Sequence, residues 1–409
     1  MKSALICIFI SMACLACDDD NSNNNNKSAQ CGNGIIELGE TCDGSTIETS
    51  CSEHGKWAGK PTCTAKCEID YSTCESVVDI RIGWRTGCAV TDRGRVYCWG
   101  QGIDGEIGNG EFDNQQRAVP ISAGGSVHFM GISAGFRNVT ALSDEGEVWK
   151  WGFQYYGEGY QASSAVPTLF LQEQTFVQIS SGNNHSCGLT ALGDVYCWGK
   201  NEYGQLGDGS IDDSYQPVFV DFGKDVEIVH LALMGVTSCA LDSYGNAWCW
   251  GSNDRNRLCA EGIEFSSSPL KVSPQTSSVF IGVSVGGFET NFLDADGAVF
   301  VCGSLAESAS LVHVNLEGER IEQMSASIGL GSDGAVYDWY ISGDGTPRIS
   351  LFYTGDIENI DVVFSNKIST CLIDNSGMPW CMGSNLDGEI GVGELDYFSE
   401  PQMVLSPLN

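Results

Sequence analysis

The chain has 409 residues, 42% hydrophobic and 10% aromatic, enough to bury a large core and too apolar for a disordered protein. Its 53 Asp and Glu outnumber 20 Lys and Arg, for a formal net charge of −33. That balance excludes nucleic acid as a partner, because phosphate backbones are held by positive patches that release counterions; the acidity suits a soluble protein in a cation-containing medium.

In chain order, Met1 and Lys2 lead into an apolar run from Ala4 to Ala16. The run is too short to anchor in a bilayer and fits a secretory signal over residues 1–16. It stops at Leu15-Ala16-Cys17, followed by three aspartates, and this junction resembles a bacterial lipobox. The resemblance implies a lipid on Cys17 and a protein of the cell envelope, on the outer surface or facing the periplasm. Cys14, preceded by Ser11-Met12-Ala13, is a rival acceptor, and plain signal cleavage is a third reading. Residues 17–30, largely Asp and Asn, bury nothing apolar and read as a tether.

Beyond Cys7, Cys14 and Cys17, 16 of the 19 cysteines remain, an even number that suits an oxidising compartment. Six of them, Cys31, Cys42, Cys51, Cys63, Cys67 and Cys74, crowd into residues 31–75, which predicts a small disulfide-stapled module whose pairing the sequence leaves open. Its opening, Cys31-Gly-Asn-Gly through Gly39-Glu-Thr-Cys42-Asp, resembles the myxobacterial-type cysteine-rich repeat. Zinc is the rival reading, but the nearest spacing is Cys63-Thr-Ala-Lys-Cys67, without a CxxC pair. Glu37, Glu40 and Asp43 could hold calcium, although no EF-hand order is present, and no cofactor is expected.

From residue 77 onward one phrase recurs seven times: at 87–100, 138–152, 185–199, 237–251, 290–303, 329–340 and 369–383. Its closing position is Trp99, Trp151, Trp198, Trp250, Cys302, Trp339 and Met382. The period over residues 77–409 is about 48, as for propeller blades. Short apolar alternations flank an Asp/Gly turn, as in Val90-Thr-Asp-Arg-Gly94-Arg-Val96, so each phrase predicts a hairpin with its glycine at positive φ. That register sets residue 88 opposite 98 and predicts four disulfides, Cys88 with Cys98, Cys187 with Cys197, Cys239 with Cys249, and Cys371 with Cys381. Cys259 and Cys302 either pair or stay as buried thiols.

The third unit, Cys187 to Gly209 with Trp198-Gly199 and Gly204-Gln-Leu-Gly207, resembles the regulator of chromosome condensation repeat. Asp104 to Gly108 and Asp387 to Gly391 are variants of the Gly-Gln-Leu-Gly loop. The resemblance implies an all-β fold, a seven-bladed β-propeller after the small disulfide-rich module, in which the last strand of each unit completes a neighbouring blade. On that basis Pro401 to Leu405 is expected to close the ring against Val77 to Ile82.

His54, His128, His185, His230 and His313 fall in different units and form no recognisable catalytic motif, so no enzyme is expected. His185 takes the repeat's structural position, and the recurring tryptophans read as core packing. Glu111, Asp113, Asp212 and Asp213 lie in connections between units, where binding residues usually sit. The sequence thus points to a monomeric scaffold that binds an extracellular or envelope protein, or is adhesive, with a lipid anchor to the membrane. A secreted-enzyme inhibitor, a hydrolase or lyase with a rim site, and a passive spacer are the alternatives.

Overall fold

Turn chemistry sets each hairpin. The computed structural model describes residues 31–409 apart from 38, 125–126, 156–160, 172–173, 273–277, 304–307, 342–345, 354, 356, 358, 367 and 408–409. The signal, Cys14, Cys17 and the tether lie outside the described residues. In all seven phrases the turn glycine, from Gly94 to Gly377, has φ between 68° and 83°, which lets a three-residue loop join two strands without a Cβ clash. Cys88 faces Cys98 across the first hairpin, and the equivalent positions pair in blades three, four and seven. At those four places the Cα atoms are 4.1 Å apart and the sulfurs are bonded.

Among the described residues the hairpins belong to seven four-stranded antiparallel sheets. Blade one runs Val77–Ile82, Thr86–Thr91, Val96–Gly100 and Gln115–Pro120; blade seven runs Ile360–Ser365, Ser369–Asp374, Pro379–Ser384 and Tyr397–Met403. The first strands of successive blades touch, and the seventh touches the first, which makes a closed ring around a channel. Seven hydrophobic clusters fill the seven interfaces between blades.

Ring closure differs from the sequence expectation. Each blade is built from four consecutive strands, and Tyr397–Met403 pairs with Pro379–Ser384 inside blade seven. Val77–Ile82 pairs with Thr86–Thr91 inside blade one, so no strand is shared across the seam. Side chains and single backbone bonds hold the seam: Val77 N–H donates to Gly377 O, Ala118 N–H to Leu405 O, and Ser76 Oγ to Ser376 O. At its centre is Trp57, fully buried. Its Nε1–H donates to Val404 O at 2.9 Å, and its ring meets Tyr97 and Trp99 edge-on.

The cysteine-rich segment therefore divides. Residues 49–61 and 71–409 form one compact unit; residues 31–48 with 62–70 form another. In the propeller unit Cys51–Cys74 and the Ala58–Glu75 bridge hold Trp57 in place. The small unit contains Cys31–Cys67, Cys42–Cys63 and the short hairpin Thr62–Cys63 with Ile69–Asp70. Its Cys-Gly-Asn-Gly opening works as an anion nest, in which the N–H groups of Gly32, Asn33, Gly34 and Ile35 all donate to the Asp43 carboxylate. Those bonds, the Gly32 N–H first, hold Asp43 below the usual carboxylate range against the opposing effect of burial. Glu40, Asp43 and Cys67 have ligand atoms within 4.8 Å of one another, but the Cys67 sulfur is bonded to Cys31.

Candidate protein-binding face

Strand order places the turn between first and second strands and the connection between third and fourth strands at one end of every blade. Gln101 N–H donates to Arg85 O, Lys200 N–H to Asn184 O, and Ser252 N–H to Val236 O, so the two loop sets lie side by side on one face. The long connections there also link the blades. Trp99 Nε1–H donates to Glu389 O, Trp151 to Glu106 O and Trp250 to Gln205 O, all at 2.7–2.9 Å. In each case the loop of one blade covers the closing tryptophan of the next.

The second glycine of that loop is what makes room. Gly108, Gly207 and Gly391 have φ of 72–74°. A Cβ on any of them would lie 2.7–3.0 Å from the Nε1 of the covered tryptophan. Between blades four and five both partners change together. Cys259, with φ of 53°, stands where the glycine stands, and Cys302 stands where the tryptophan stands. The two are joined by a disulfide, and Cys302 Sγ approaches Arg257 O at 3.7 Å, at the place of the indole N–H. A covalent bond replaces a stacking contact.

The channel behind this face is about 350 Å³ and its polar side chains are largely consumed by blade-to-blade bonds. Gln178 exchanges two bonds with the Leu231 backbone; Ser180 Oγ accepts from Leu233 N–H, Gln323 Oε1 from Val363 N–H, and Ser325 Oγ from Ser365 N–H. Arg81 pairs with Asp79 at 2.8 Å and lies over Phe364. Burial first and the Arg81 charge second hold His230 below the usual imidazole range.

The other histidines are spread out. His185 is fully buried, its Nε2 2.8 Å from Ser238 Oγ, which itself donates to Gln205 O. The serine proton being committed, Nε2 carries the hydrogen to it. Burial drives the ring down to about 3, so it is neutral. His54 stacks on Tyr71, and His313 meets Phe300 on the outer side of blade five. Of the carboxylates singled out by sequence, Asp213 accepts from Asn201 N–H and pairs with Lys200, and Asp113 accepts from Gln115 Nε2; Glu111 and Asp212 are exposed.

The mouth of the channel is different. A cavity of about 330 Å³ opens there, lined by Ile82, Ala134, Met234 and the turn residues Trp84, Phe136, Phe288 and Ile368. Those four are 46%, 37%, 47% and 40% exposed, and the Trp84 and Phe136 rings lie 5.5 Å apart. Arg85 and Arg137, beside the first two, are tied to Asp387 and Asp104 of the preceding blade's loop, which fixes the aromatic turns. The sequence reading assigned tryptophans to the core and missed this group. Its signal was an aromatic directly after a glycine just ahead of the hairpin phrase, in Gly83-Trp84, Gly135-Phe136 and Gly287-Phe288.

A family model described as "Regulator of chromosome condensation (RCC1) repeat" matches residues 77–106 and 176–205, and a second of the same description matches residues 193–241. Over residues 77–106 and 176–241 the chain is similar to the regulator of chromosome condensation repeat, and the seven four-stranded blades agree with that likeness. Human E3 ubiquitin-protein ligase HERC2 is 26% identical over 279 residues, 67% of this chain. The chain spans only 4% of HERC2 and 18% of human HERC6, a probable E3 ubiquitin-protein ligase. The Arabidopsis thaliana ultraviolet-B receptor UVR8 is 24% identical over 335 residues, 74% of this chain and 76% of the receptor. Among solved structures, human WBSCR16 superposes with a TM-score of 0.56 at 18% identity, covering 81% of this chain and 82% of its own. Prp20p of Saccharomyces cerevisiae, a structure described together with binding to Gsp1p and histones, gives 0.52 at 17% identity, covering 80% and 76%. At these identities the likeness is one of fold. An RCC1-type propeller fits a protein-binding scaffold.

Proposed function

We propose that this chain is an exported, envelope-tethered scaffold that binds a protein partner through the face formed by the first turns and the third-to-fourth-strand connections. The carrying observation is the group Trp84, Phe136, Phe288 and Ile368. These side chains surround a cavity and stand exposed, and the turns of Trp84 and Phe136 are pinned by the ion pairs of Arg85 and Arg137. Exposed aromatics at the centre of a rigid surface are the residues that dominate protein interfaces. Eight disulfides among the described residues support an oxidising compartment. The tether is the lipid on Cys17.

The test places a photo-crosslinking amino acid at Trp84 and, separately, at Tyr244, an exposed residue in the hairpin turn of blade four at the opposite end of the blade. On intact cells a discrete protein adduct is expected from position 84 and none from 244. Equal adducts at both, or none at 84, overturn the reading. Radiolabelled palmitate lost on Cys17→Ser checks the tether, and retained label shifts it to Cys14.

A further inference from the structure

The apolar mouth shares its face with acidic connections from blades one, three, four and seven. The four long connections, residues 101–114, 200–213, 253–264 and 385–396, carry 15 Asp and Glu against three Lys and Arg. Among the described residues of these turns and connections the basic groups are engaged: Arg85, Arg137 and Lys200 pair with Asp387, Asp104 and Asp213, the Arg255 guanidinium lies 4.2 Å over Phe288, and Arg257 donates to Gly287 O. A segment approaching the aromatics meets negative potential on most sides.

Next to the mouth, and sharing Ile368 with it, is a second cavity of about 310 Å³ between blades six and seven. The repeat explains why it exists. At blades one, two and four the closing tryptophan is covered by the preceding loop, and at blade five Cys259–Cys302 takes over. Blade six joins its third strand, Val336–Ile341, to its fourth, Pro347–Tyr353, through residues 342–346 alone, and blade seven carries Met382 at the closing position. Met382 lines the cavity with Phe352, Tyr397, Phe398 and Asp338, whose carboxylate accepts from Ser350 Oγ. Aromatic faces with one carboxylate, in a space of side-chain size, are recognition chemistry for a cation on an aliphatic stem.

We infer that the partner presents a basic polypeptide segment, which places an apolar side chain in the channel mouth and a Lys or Arg side chain in the cavity between blades six and seven. This rests on the protein-binding role proposed for the face and names the class of partner. A second copy of this chain, itself at −33, and an anionic lipid surface are repelled by the same carboxylates.

Fluorescence anisotropy on the full chain at about 0.15 M salt tests it. Three labelled peptides of about 12 residues serve as probes: Lys interleaved with Leu and Trp, Lys with Ser at equal charge, and Glu with Leu and Trp. The Lys/Leu/Trp probe is expected to bind, the Lys/Ser probe about tenfold more weakly, and the Glu probe not at all. The pair Trp84→Ser and Phe136→Ser weakens the first probe about tenfold, and Asp338→Asn weakens it several-fold. Met382→Trp, which puts the repeat's own residue into the cavity, weakens it as Asp338→Asn does, and thermal melting confirms that the variants are folded. Asp144→Asn with Glu145→Gln, in a hairpin turn at the other end of blade two, changes nothing. Equal binding of the Lys/Ser probe, or equal loss on the Asp144/Glu145 control, reduces the effect to bulk charge and overturns the inference. Crosslinking at Trp84 without binding of any probe leaves the scaffold reading standing and removes the basic partner; failure of both removes both.

Discussion

The paired change at Cys259 and Cys302 allows a direct test of how the blades are joined. In the regular latch a glycine at positive φ lies under the tryptophan of the next blade; here two cysteines occupy both sites. Cys302→Trp alone removes a crosslink that closes a sequence separation of 43, about 4 kcal/mol by loop entropy. It also drives an indole onto the Cβ of Cys259, an overpacking cost of about 1–3 kcal/mol. Cys259→Gly alone loses the crosslink and relieves a left-handed backbone strain of about 1 kcal/mol. The double variant loses the same crosslink but regains a buried indole and a bond from Nε1–H to Arg257 O, matching the one Trp250 makes to Gln205 O at 2.9 Å. It should lie within about 2 kcal/mol of the parent and above the Cys302→Trp single by about 3–5 kcal/mol. Urea unfolding without reductant, followed by near-ultraviolet circular dichroism, gives the full cycle. Because either single already breaks the one crosslink, the comparison is with Cys302→Trp, and a double variant no more stable than that single would falsify the equivalence of the two latches.

Three further predictions concern the seam and two buried charges. Trp57→Ala should destabilise the propeller by about 4–6 kcal/mol, from a large cavity and an unpaired Val404 carbonyl, and Trp57→Phe by about 1–2 kcal/mol; denaturant midpoints and proteolysis at the seam read the order, and a loss under 1 kcal/mol for Ala refutes the role. Burial raises Glu106 from the ordinary carboxyl value of 4.5 to about 7, so its folded form favours the proton: that stability is present below pH 4.5 and lost as pH rises through 7. Glu106→Gln, the residue Gln205 supplies in blade three, should therefore flatten a decline of about 2 kcal/mol between pH 5 and 8, and an unchanged slope in the variant refutes the assignment. Lys150 occupies the cysteine position of blade two, where Thr140 faces it, and burial lowers its amine to about 7, with the Phe170 ring 4.0 Å from Nζ. The unfolded chain then binds the extra proton, so stability should rise by about 2 kcal/mol from pH 7 to 9, and Lys150→Met should remove that rise in paired pH-dependent melts.

Much of this fold could be read locally. The turn glycines, the alternation on each side and the ten-residue cysteine spacing are all set within one hairpin, so the register of Cys88 with Cys98 follows from neighbours in sequence. Relations between blades were another matter. The disulfide Cys259–Cys302 joins two units, and its logic emerges only when Gly207 is seen against Trp250. The strand expected to close the ring pairs inside its own blade, and the cysteine-rich segment gives up residues 49–61 to the propeller because Trp57 finds its burial there. Trp84 and Trp99 show the same limit: as residue types they are identical, and only position around the channel makes one exposed at 46% and the other a core residue.

By itself, then, the sequence determined the all-β class, the count of seven, the hairpin register and the net charge of −33, because each depends on composition or on contacts a few residues apart. The tertiary structure alone decided how the ring closes, which aromatics line its mouth, and where a missing loop leaves a cavity beside Asp338. Those features depend on residues hundreds of positions apart, such as Trp57 and Val404, and no local period records which surfaces a closed ring brings together.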